Sequence, residues 1–160
     1  MRILLGSIER HAVKYKRKIV PIVSLSVDYY IRVFVRVYTS PGDVKFSASK
    51  MGNLLQCVGC LAHHVQPMMK VVECKGKKGN TYKKHKLGQS ETPTTCLHCG
   101  SRFQIAGPAW IDNTFDKEVL GKLLQFLNEN KQNFNSFSRL YGLLTVMNEV
   151  LLFLSNLLFN

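Results

Sequence analysis

Two short cysteine motifs decide the fold of this chain: Cys57-Val58-Gly59-Cys60, and Cys96-Leu97-His98-Cys99 with Gly100 directly after it. A two-residue spacer lets both sulfur atoms of one motif face the same point, and two such motifs supply the four thiolates that structural zinc prefers. The sequence therefore predicts one zinc site with the ligands Cys57, Cys60, Cys96 and Cys99. Four thiolates leave no coordination position for a substrate, so the predicted site is structural.

Two other interpretations of these cysteines stay open, namely reduced thiols that bind no metal and a redox pair. A redox Cys-x-x-Cys belongs with a βαβ pattern, which is absent here, and one such motif would suffice. Residues 61–95 separate the motifs, more than the ~15–20 residues of a compact zinc ribbon, so an insertion is expected. The fifth cysteine, Cys74, is expected to be a free thiol in a reducing compartment.

The charge of the chain is high and unevenly spread. The 160 residues have a formal net charge of +12. Residues 1–50 and 51–86 each carry a large excess of lysine and arginine, whereas residues 87–160 are close to neutral. A positive field over the first half of the chain fits a polyanionic partner, and nucleic acid is the first candidate. A basic surface that serves only solubility is the alternative.

Residues 2–18 are predicted to form a helix, with an apolar stripe of Ile3, Leu4, Ile8, Ala12 and Tyr15. Residues 20–38 are predicted to form a strand, and strict alternation predicts a buried face of Tyr29, Ile31, Val33, Val35 and Val37. The opposite face places Arg32 and Arg36 among three aromatic rings, a surface able to pair with phosphates and stack on bases. An outer sheet face covered by another domain is the preferred alternative.

The insertion between the cysteine motifs is rich in lysine, with Glu73 as the one acid among residues 70–86. This composition predicts a flexible basic loop that follows a phosphate backbone, with counterion release as the driving force. A surface loop without a partner is the alternative. The candidate nucleic-acid contacts are Arg32, Arg36, Lys75, Lys77, Lys78, Lys83, Lys84 and Lys86. None of His63, His64, His85 and His98 is expected to bind metal.

The last third predicts a strand over residues 103–110, with Trp110 in the core. Asp112 or Thr114 is predicted to cap a helix over residues 116–130, and a last helix begins at Arg139. The apolar end of that last helix is shorter than the ~20 residues of a membrane crossing, so no membrane partner is expected. No secretory or mitochondrial targeting segment is visible.

Several of these segments together resemble one known family, the S-adenosylmethionine-dependent tRNA (guanine-26, N2)-dimethyltransferases. The start of the chain (RILL, then Ser7-Ile8) is similar to the last long helix of the family's catalytic domain, and SVDYYIRVFVRV is similar to its late strand. QCVGC, CLHCG and GPAW then follow in the family's order, and GLLTVMNE resembles a helix of its C-terminal domain. The resemblance covers about residues 2–149.

The resemblance implies an α+β fold in three parts. Residues 1–40 would form the edge of a class I methyltransferase sheet, residues 41–53 a linker, and residues 54–160 a zinc-containing tRNA-binding domain with terminal helices. The implied activity is the transfer of two methyl groups from S-adenosylmethionine to N2 of a tRNA guanine. The implied partner is tRNA, and the implied compartment is the nucleus, with the mitochondrion or the cytoplasm as alternatives. The oligomeric state is not specified.

The chain also departs from the family pattern. The glycine-containing turn that holds the methyl donor, the acidic ribose contact and the Asp-Pro-Phe/Tyr-Gly segment are all absent from the 160 residues. Leu61 stands where the family usually has glycine. The chain is therefore expected to be a truncated product or an incomplete gene model, inactive alone and without catalytic or donor-binding residues. A non-catalytic zinc-dependent RNA-binding module is the second hypothesis, and a zinc ribbon of transcription or translation is the third.

Overall fold

The computed structural model describes residues 1–75, 81–87 and 94–158, with the side chains of the last helix described as far as Asn148. Helices and strands are both present, and the strands form small sheets, which confirms the α+β class. The helices are α1 (Arg2–Lys14), α2 (Pro41–Val44), α3 (Lys117–Glu129) and α4 (Phe137–Leu158). The strands are β1 (Arg17–Val27), β2 (Tyr30–Thr39), β3 (Met51–Cys57), β4 (His63–Pro67), β5 (Met69–Lys75), β6 (Thr81–Leu87) and β7 (Phe103–Trp110).

The internal contacts divide the chain into two compact units. The first unit comprises Met1–Val20 and Val35–Asp112, and the second comprises Pro21–Phe34 and Asn113–Asn160. The segment predicted as a linker, residues 41–53, contains α2, a 3-10 turn at Ser47–Lys50 and the buried start of β3. The three-part division into residues 1–40, 41–53 and 54–160 stays a prediction.

The centre of the first unit is a three-stranded sheet in the order β4-β3-β7, in which both neighbours run antiparallel to β3. The predicted strand over residues 103–110 is confirmed as β7, and Trp110 at its end is 1% exposed, as predicted for a core anchor. The Arg2 side chain ties α1 to this strand, because its Nη1 donates to the carbonyl oxygen of Trp110 at 2.9 Å.

The first helix ends earlier and packs through a different face than the sequence pattern predicts. It stops at Lys14, and Lys16 has a positive φ of 57° just before β1 begins. Its buried residues are Leu5, Gly6 and Glu9, whereas Ile3 and Tyr15 of the predicted stripe are exposed. The reason is a contact between distant residues: a Cβ atom at position 6 would lie 2.7 Å from Met51 Cε, so this glycine lies where the helix meets its neighbour.

The strand predicted over residues 20–38 is two strands, β1 and β2, with a turn at Asp28, whose φ is 47°. The predicted buried face is wrong, since Tyr29, Ile31 and Val37 are exposed and Val33 and Val35 are only half-buried. The buried positions lie on β1 instead, at Ile19, Pro21, Val23 and Ser24. Alternation separates the two faces of a strand, but it does not determine which face another element covers.

The core of the second unit lies between α3 and α4. Leu120, Leu127 and Leu144 are buried there and contact partly buried side chains, among them Phe115, Leu123, Leu124, Phe134, Phe137 and Met147. The prediction of Asp112 or Thr114 as the helix cap is wrong, because the Asp116 side chain accepts hydrogen bonds from the amides of Glu118 and Val119. Asp116 immediately precedes the first residue of the helix, so its carboxylate reaches the backbone amides of the first turn, which have no partner within the helix.

Within the described part of the chain, no helix combines the length and the apolar run that a membrane crossing requires.

Candidate functional site

The pairing of β3 with β7 brings the two cysteine motifs together. Cys57 ends β3 and lies opposite Phe103, the first residue of β7. Because the second motif immediately precedes β7, the antiparallel register places it beside the first motif. The amide of Val58 donates to the carbonyl oxygen of Arg102 at 3.0 Å and continues the ladder into the turn.

The four sulfur atoms form one compact group. Cys57 Sγ lies 3.3 Å from Cys99 Sγ, and Cys60 Sγ lies 3.5 Å from Cys96 Sγ. All four Sγ atoms lie within 4.8 Å of one another. A tetrahedral zinc ion with Zn–S bonds of about 2.3 Å requires sulfur atoms about 3.8 Å apart. The two measured pairs are slightly closer than this value and no pair is farther apart than 4.8 Å, so the donor set fits one metal ion. Among the described residues, the group contains no histidine.

Backbone hydrogen bonds shape the turn around each motif. In the first, the amide of Cys57 donates to the carbonyl of Ala62 at 2.8 Å, and the amide of Gly59 donates to Cys57 Sγ at 3.4 Å. In the second, the amide of Gly100 donates to the carbonyl of Cys96 at 2.8 Å. Gly100 and Leu61 both adopt a positive φ, of 70° and 61°. Glycine accepts this conformation freely, whereas leucine is strained in it.

The surroundings of the thiols favour negative charge on the second motif. Hydrogen bonds from the side chain and the backbone of Ser101 lower the pKa of Cys99 to about 6. The backbone of His98 is the main cause that lowers the pKa of Cys96. The Ala62 backbone lowers the pKa of Cys60, but the neighbouring sulfur atoms outweigh it and raise that pKa to about 12. Ionisation of all four sulfur atoms at once would therefore require a cation between them, because like charges at this distance repel.

The insertion between the motifs is not the predicted flexible loop. Residues 69–75 and 81–87 form the antiparallel strands β5 and β6, and we call this pair the basic hairpin. Of the predicted contacts, Lys75, Lys83, Lys84 and Lys86 are exposed on it. Lys77 and Lys78 lie outside the described residues. Alternation is weak in this sequence because charged residues stand on both faces, which hides the strands from pattern analysis.

His85, which is not expected to bind metal, fixes the position of the basic hairpin. His85 Nε2 is 2.6 Å from the carbonyl oxygen of Lys45, and its ring lies 4.8 Å from the ring of Phe46. These contacts hold β6 against the segment between α2 and β3. The sequence carries no signal for this contact, because it joins residues that are far apart in the chain.

The two candidate arginines, Arg32 and Arg36, are both exposed on β2. The Arg32 guanidinium carbon lies 5.3 Å from the centre of the Tyr30 ring, within the range of a cation–π contact. Tyr30, Phe34 and Tyr38 are between 43% and 50% exposed. These five side chains, the two arginines and the three rings, are each accessible to solvent.

A family model described as N2,N2-dimethylguanosine tRNA methyltransferase matches residues 1–159. The chain belongs to this family. A mouse tRNA (guanine(26)-N(2))-dimethyltransferase is 41% identical over 152 residues, which are 94% of this chain and 22% of the mouse protein. The predicted family is thereby confirmed, and the chain spans about a fifth of the length of this curated relative.

A second relative and a solved structure extend the comparison. A Saccharomyces cerevisiae relative, named as a mitochondrial tRNA (guanine(26)-N(2))-dimethyltransferase, is 30% identical over 91% of this chain and 26% of its own length. The structure of Trm1 from Pyrococcus horikoshii with S-adenosyl-L-methionine superposes with a TM-score of 0.57 at 22% identity, covering 92% of this chain and 31% of that one. At this identity the likeness shows the fold alone.

Proposed function

We propose that this chain supplies the zinc-stabilised, tRNA-binding part of an S-adenosylmethionine-dependent tRNA (guanine-26, N2)-dimethyltransferase, which transfers two methyl groups to N2 of one guanine. The observation that supports this proposal most directly is the position of the basic hairpin. It is inserted between two motifs whose four sulfur atoms lie within 4.8 Å of one another. The metal would therefore close the loop that presents the lysines.

Zinc would be held by Cys57, Cys60, Cys96 and Cys99, and its role would be structural. An ion bound by four thiolates cross-links β3 to the start of β7 and has no free position for a substrate. The ligands come from both ends of the insertion, so zinc binding also reduces the conformational freedom of the intervening residues. The metal contributes to RNA binding only by holding the surface in place.

The RNA contacts would come from exposed cationic side chains on two elements. The candidates for phosphate pairing are Arg32 and Arg36 on β2 and the lysines of the insertion, namely Lys75, Lys77, Lys78, Lys83, Lys84 and Lys86. Lysine and arginine release condensed counterions when they neutralise phosphates, so this binding should weaken steeply with salt. Contacts of this kind position an RNA without reading its sequence.

The chemistry of methyl transfer would belong to residues outside these 160. The sequence contains none of the family motifs for the donor, the ribose or the reacting amine, so we expect no binding of S-adenosylmethionine by this chain alone. A non-catalytic zinc-dependent RNA-binding module is the alternative with the same site. From the family resemblance we propose the nucleus as the compartment, with the mitochondrion or the cytoplasm as alternatives.

The metal assignment is tested by substituting one ligand from each motif. Cys57→Ser and Cys96→Ser, purified with zinc, should each lose the metal and the cooperative unfolding transition of the β3–β7 sheet, because coordination carries much of the folding free energy of small metal units. Cys74→Ser removes a thiol outside the group and should keep one zinc per chain by elemental analysis. Stoichiometric zinc in both ligand variants would show that the cysteines are not ligands.

The role of the chain is tested by equilibrium binding with radiolabelled S-adenosylmethionine and, separately, with tRNA. We expect salt-dependent binding of tRNA, no binding of the donor and no transfer of label. Donor binding above background would indicate a site that the sequence does not reveal, and salt-independent or absent tRNA binding would contradict the proposed function.

A further inference from the structure

We infer that the basic hairpin binds the RNA backbone through only one of its two faces, which carries Lys70, Lys84 and Lys86 with Tyr82 beside them. This inference rests on the proposed function and specifies its contact surface. It adds Lys70 and Tyr82 to the candidate residues and removes Lys75 and Lys83 from them.

The register of the strands assigns each residue to a face. Lys70 lies opposite Lys86, Val72 opposite Lys84, and Cys74 opposite Tyr82. Because directly opposed residues of an antiparallel pair share a face, these six residues form one side, which we call the outer face. The inner face consists of Met69, Val71, Glu73, Lys75, Thr81, Lys83, His85 and Leu87.

The inner face is partly occupied and partly neutralised. At its base, His85 contacts the carbonyl oxygen of Lys45 and the Phe46 ring, so that end of the face is turned toward the protein. Further along, Lys83 Nζ lies 4.0 Å from Glu73 Oε1, directly across the pair. A polyanion that approached this face would meet the glutamate as well as the lysines.

The outer face has the opposite character. It carries three exposed lysines and no acid, and within residues 1–75, 81–87 and 94–148 none of the three forms an ion pair with an acidic side chain. Like charges directly opposite one another destabilise a strand pair, and Lys70 faces Lys86 in this way. An external anion between these two lysines would relieve the repulsion, so anion binding to the outer face is electrostatically favourable.

The chemistry of the outer face fits RNA better than an isolated anion. Lys84 and Lys86 are two residues apart on one strand, so they project on the same side about 6.6–6.8 Å from each other and form a row. Tyr82 continues this row and is 52% exposed, so its ring is available to an unstacked base. Phosphate pairing beside an aromatic platform is the usual combination for a single-stranded nucleic acid.

The test compares two triple variants of the full chain, each of which removes three positive charges. Lys70→Gln/Lys84→Gln/Lys86→Gln changes the outer face, and Lys75→Gln/Lys83→Gln/Lys117→Gln changes exposed lysines elsewhere. Affinity for fluorescent tRNA is measured over a series of potassium chloride concentrations. The outer variant should bind about 10- to 100-fold more weakly at low salt, with a salt slope smaller by about 2, and the control should change far less.

A separate pair of variants tests the ring. Tyr82→Leu should weaken binding of a single-stranded oligonucleotide about 5-fold or more, whereas Tyr82→Phe should bind like the parent chain. Circular dichroism and zinc content should be unchanged in all four variants.

Equal losses in the two triple variants would overturn the one-face inference while leaving the proposed function intact. Failure of the parent chain to bind tRNA would instead remove the proposed function itself. Binding to phosphatidylserine vesicles that the outer variant loses, without any binding of tRNA, would assign the surface to a membrane and overturn the inference as well.

Discussion

Substitution of Gly59 by alanine should weaken zinc binding without straining the backbone. A Cβ atom at this position would lie 2.5 Å from Ser101 Oγ and 3.1 Å from Cys99 Sγ. Non-bonded heavy atoms make their best contact at about 3.5–4.0 Å, so Cys99 Sγ must move by about half an ångström and Ser101 by more. Metal sites tolerate changes in ligand distance of about 0.2 Å. The Ser101 hydroxyl also supports the Cys99 thiolate, and its displacement would raise the pKa of Cys99 toward the ordinary value.

We expect Gly59→Ala to bind zinc about 10- to 100-fold more weakly, the range found when groups that orient metal ligands are lost. The assay is competition with a chromophoric chelator at fixed pH. Gly121→Ala is the matched control, because a Cβ there has no neighbour within 4 Å, and its zinc affinity should equal that of the parent chain. If Gly59→Ala retained the parent affinity within twofold, the close packing of Gly59 on Cys99 and Ser101 would not contribute to the metal centre.

Three further substitutions probe stability. Leu61→Gly should raise the free energy of unfolding by about 1 kcal/mol in a denaturant titration, since φ is 61° and the leucine is 61% exposed; a decrease would show that the side chain stabilises the turn. Asp116→Ala should lower the free energy of unfolding by about 1 kcal/mol, since it removes the acceptor for two amides of α3. An unchanged free energy of unfolding would show that Asp116 does not stabilise the helix as its N-cap. Leu120→Ala should lower the free energy of unfolding by about 2–5 kcal/mol, since Leu120 is fully buried. A decrease below about 1 kcal/mol would show that this core does not stabilise α3.

The group of four cysteines illustrates what local spacing can predict. The distance between two cysteines in a Cys-x-x-Cys motif is set by one turn of backbone, so each half of the site is specified by four consecutive residues. The helices α3 and α4 are predicted for a similar reason, because an apolar stripe at helical spacing requires burial on one side. The strand at residues 103–110 and the buried Trp110 are also confirmed.

The features that the sequence pattern predicts incorrectly are those that depend on contacts between distant residues. The lysine-rich composition of the insertion predicts a flexible loop, yet β5 and β6 pair, and His85 holds them against residues 45 and 46. The face of α1 that packs on its neighbours is set by Gly6 meeting Met51, not by the densest apolar stripe.

The sequence by itself determined the family, the two cysteine motifs and the positive charge of the insertion, because each of these depends on residue identity and short-range spacing. Only the tertiary structure decided that the antiparallel register of β3 and β7 joins the two motifs, and that the basic hairpin has two unlike faces. The register of strands and the packing of elements depend on which distant surfaces bury each other. The free energy of that burial arises between segments far apart in the sequence, so no short stretch of sequence reveals it.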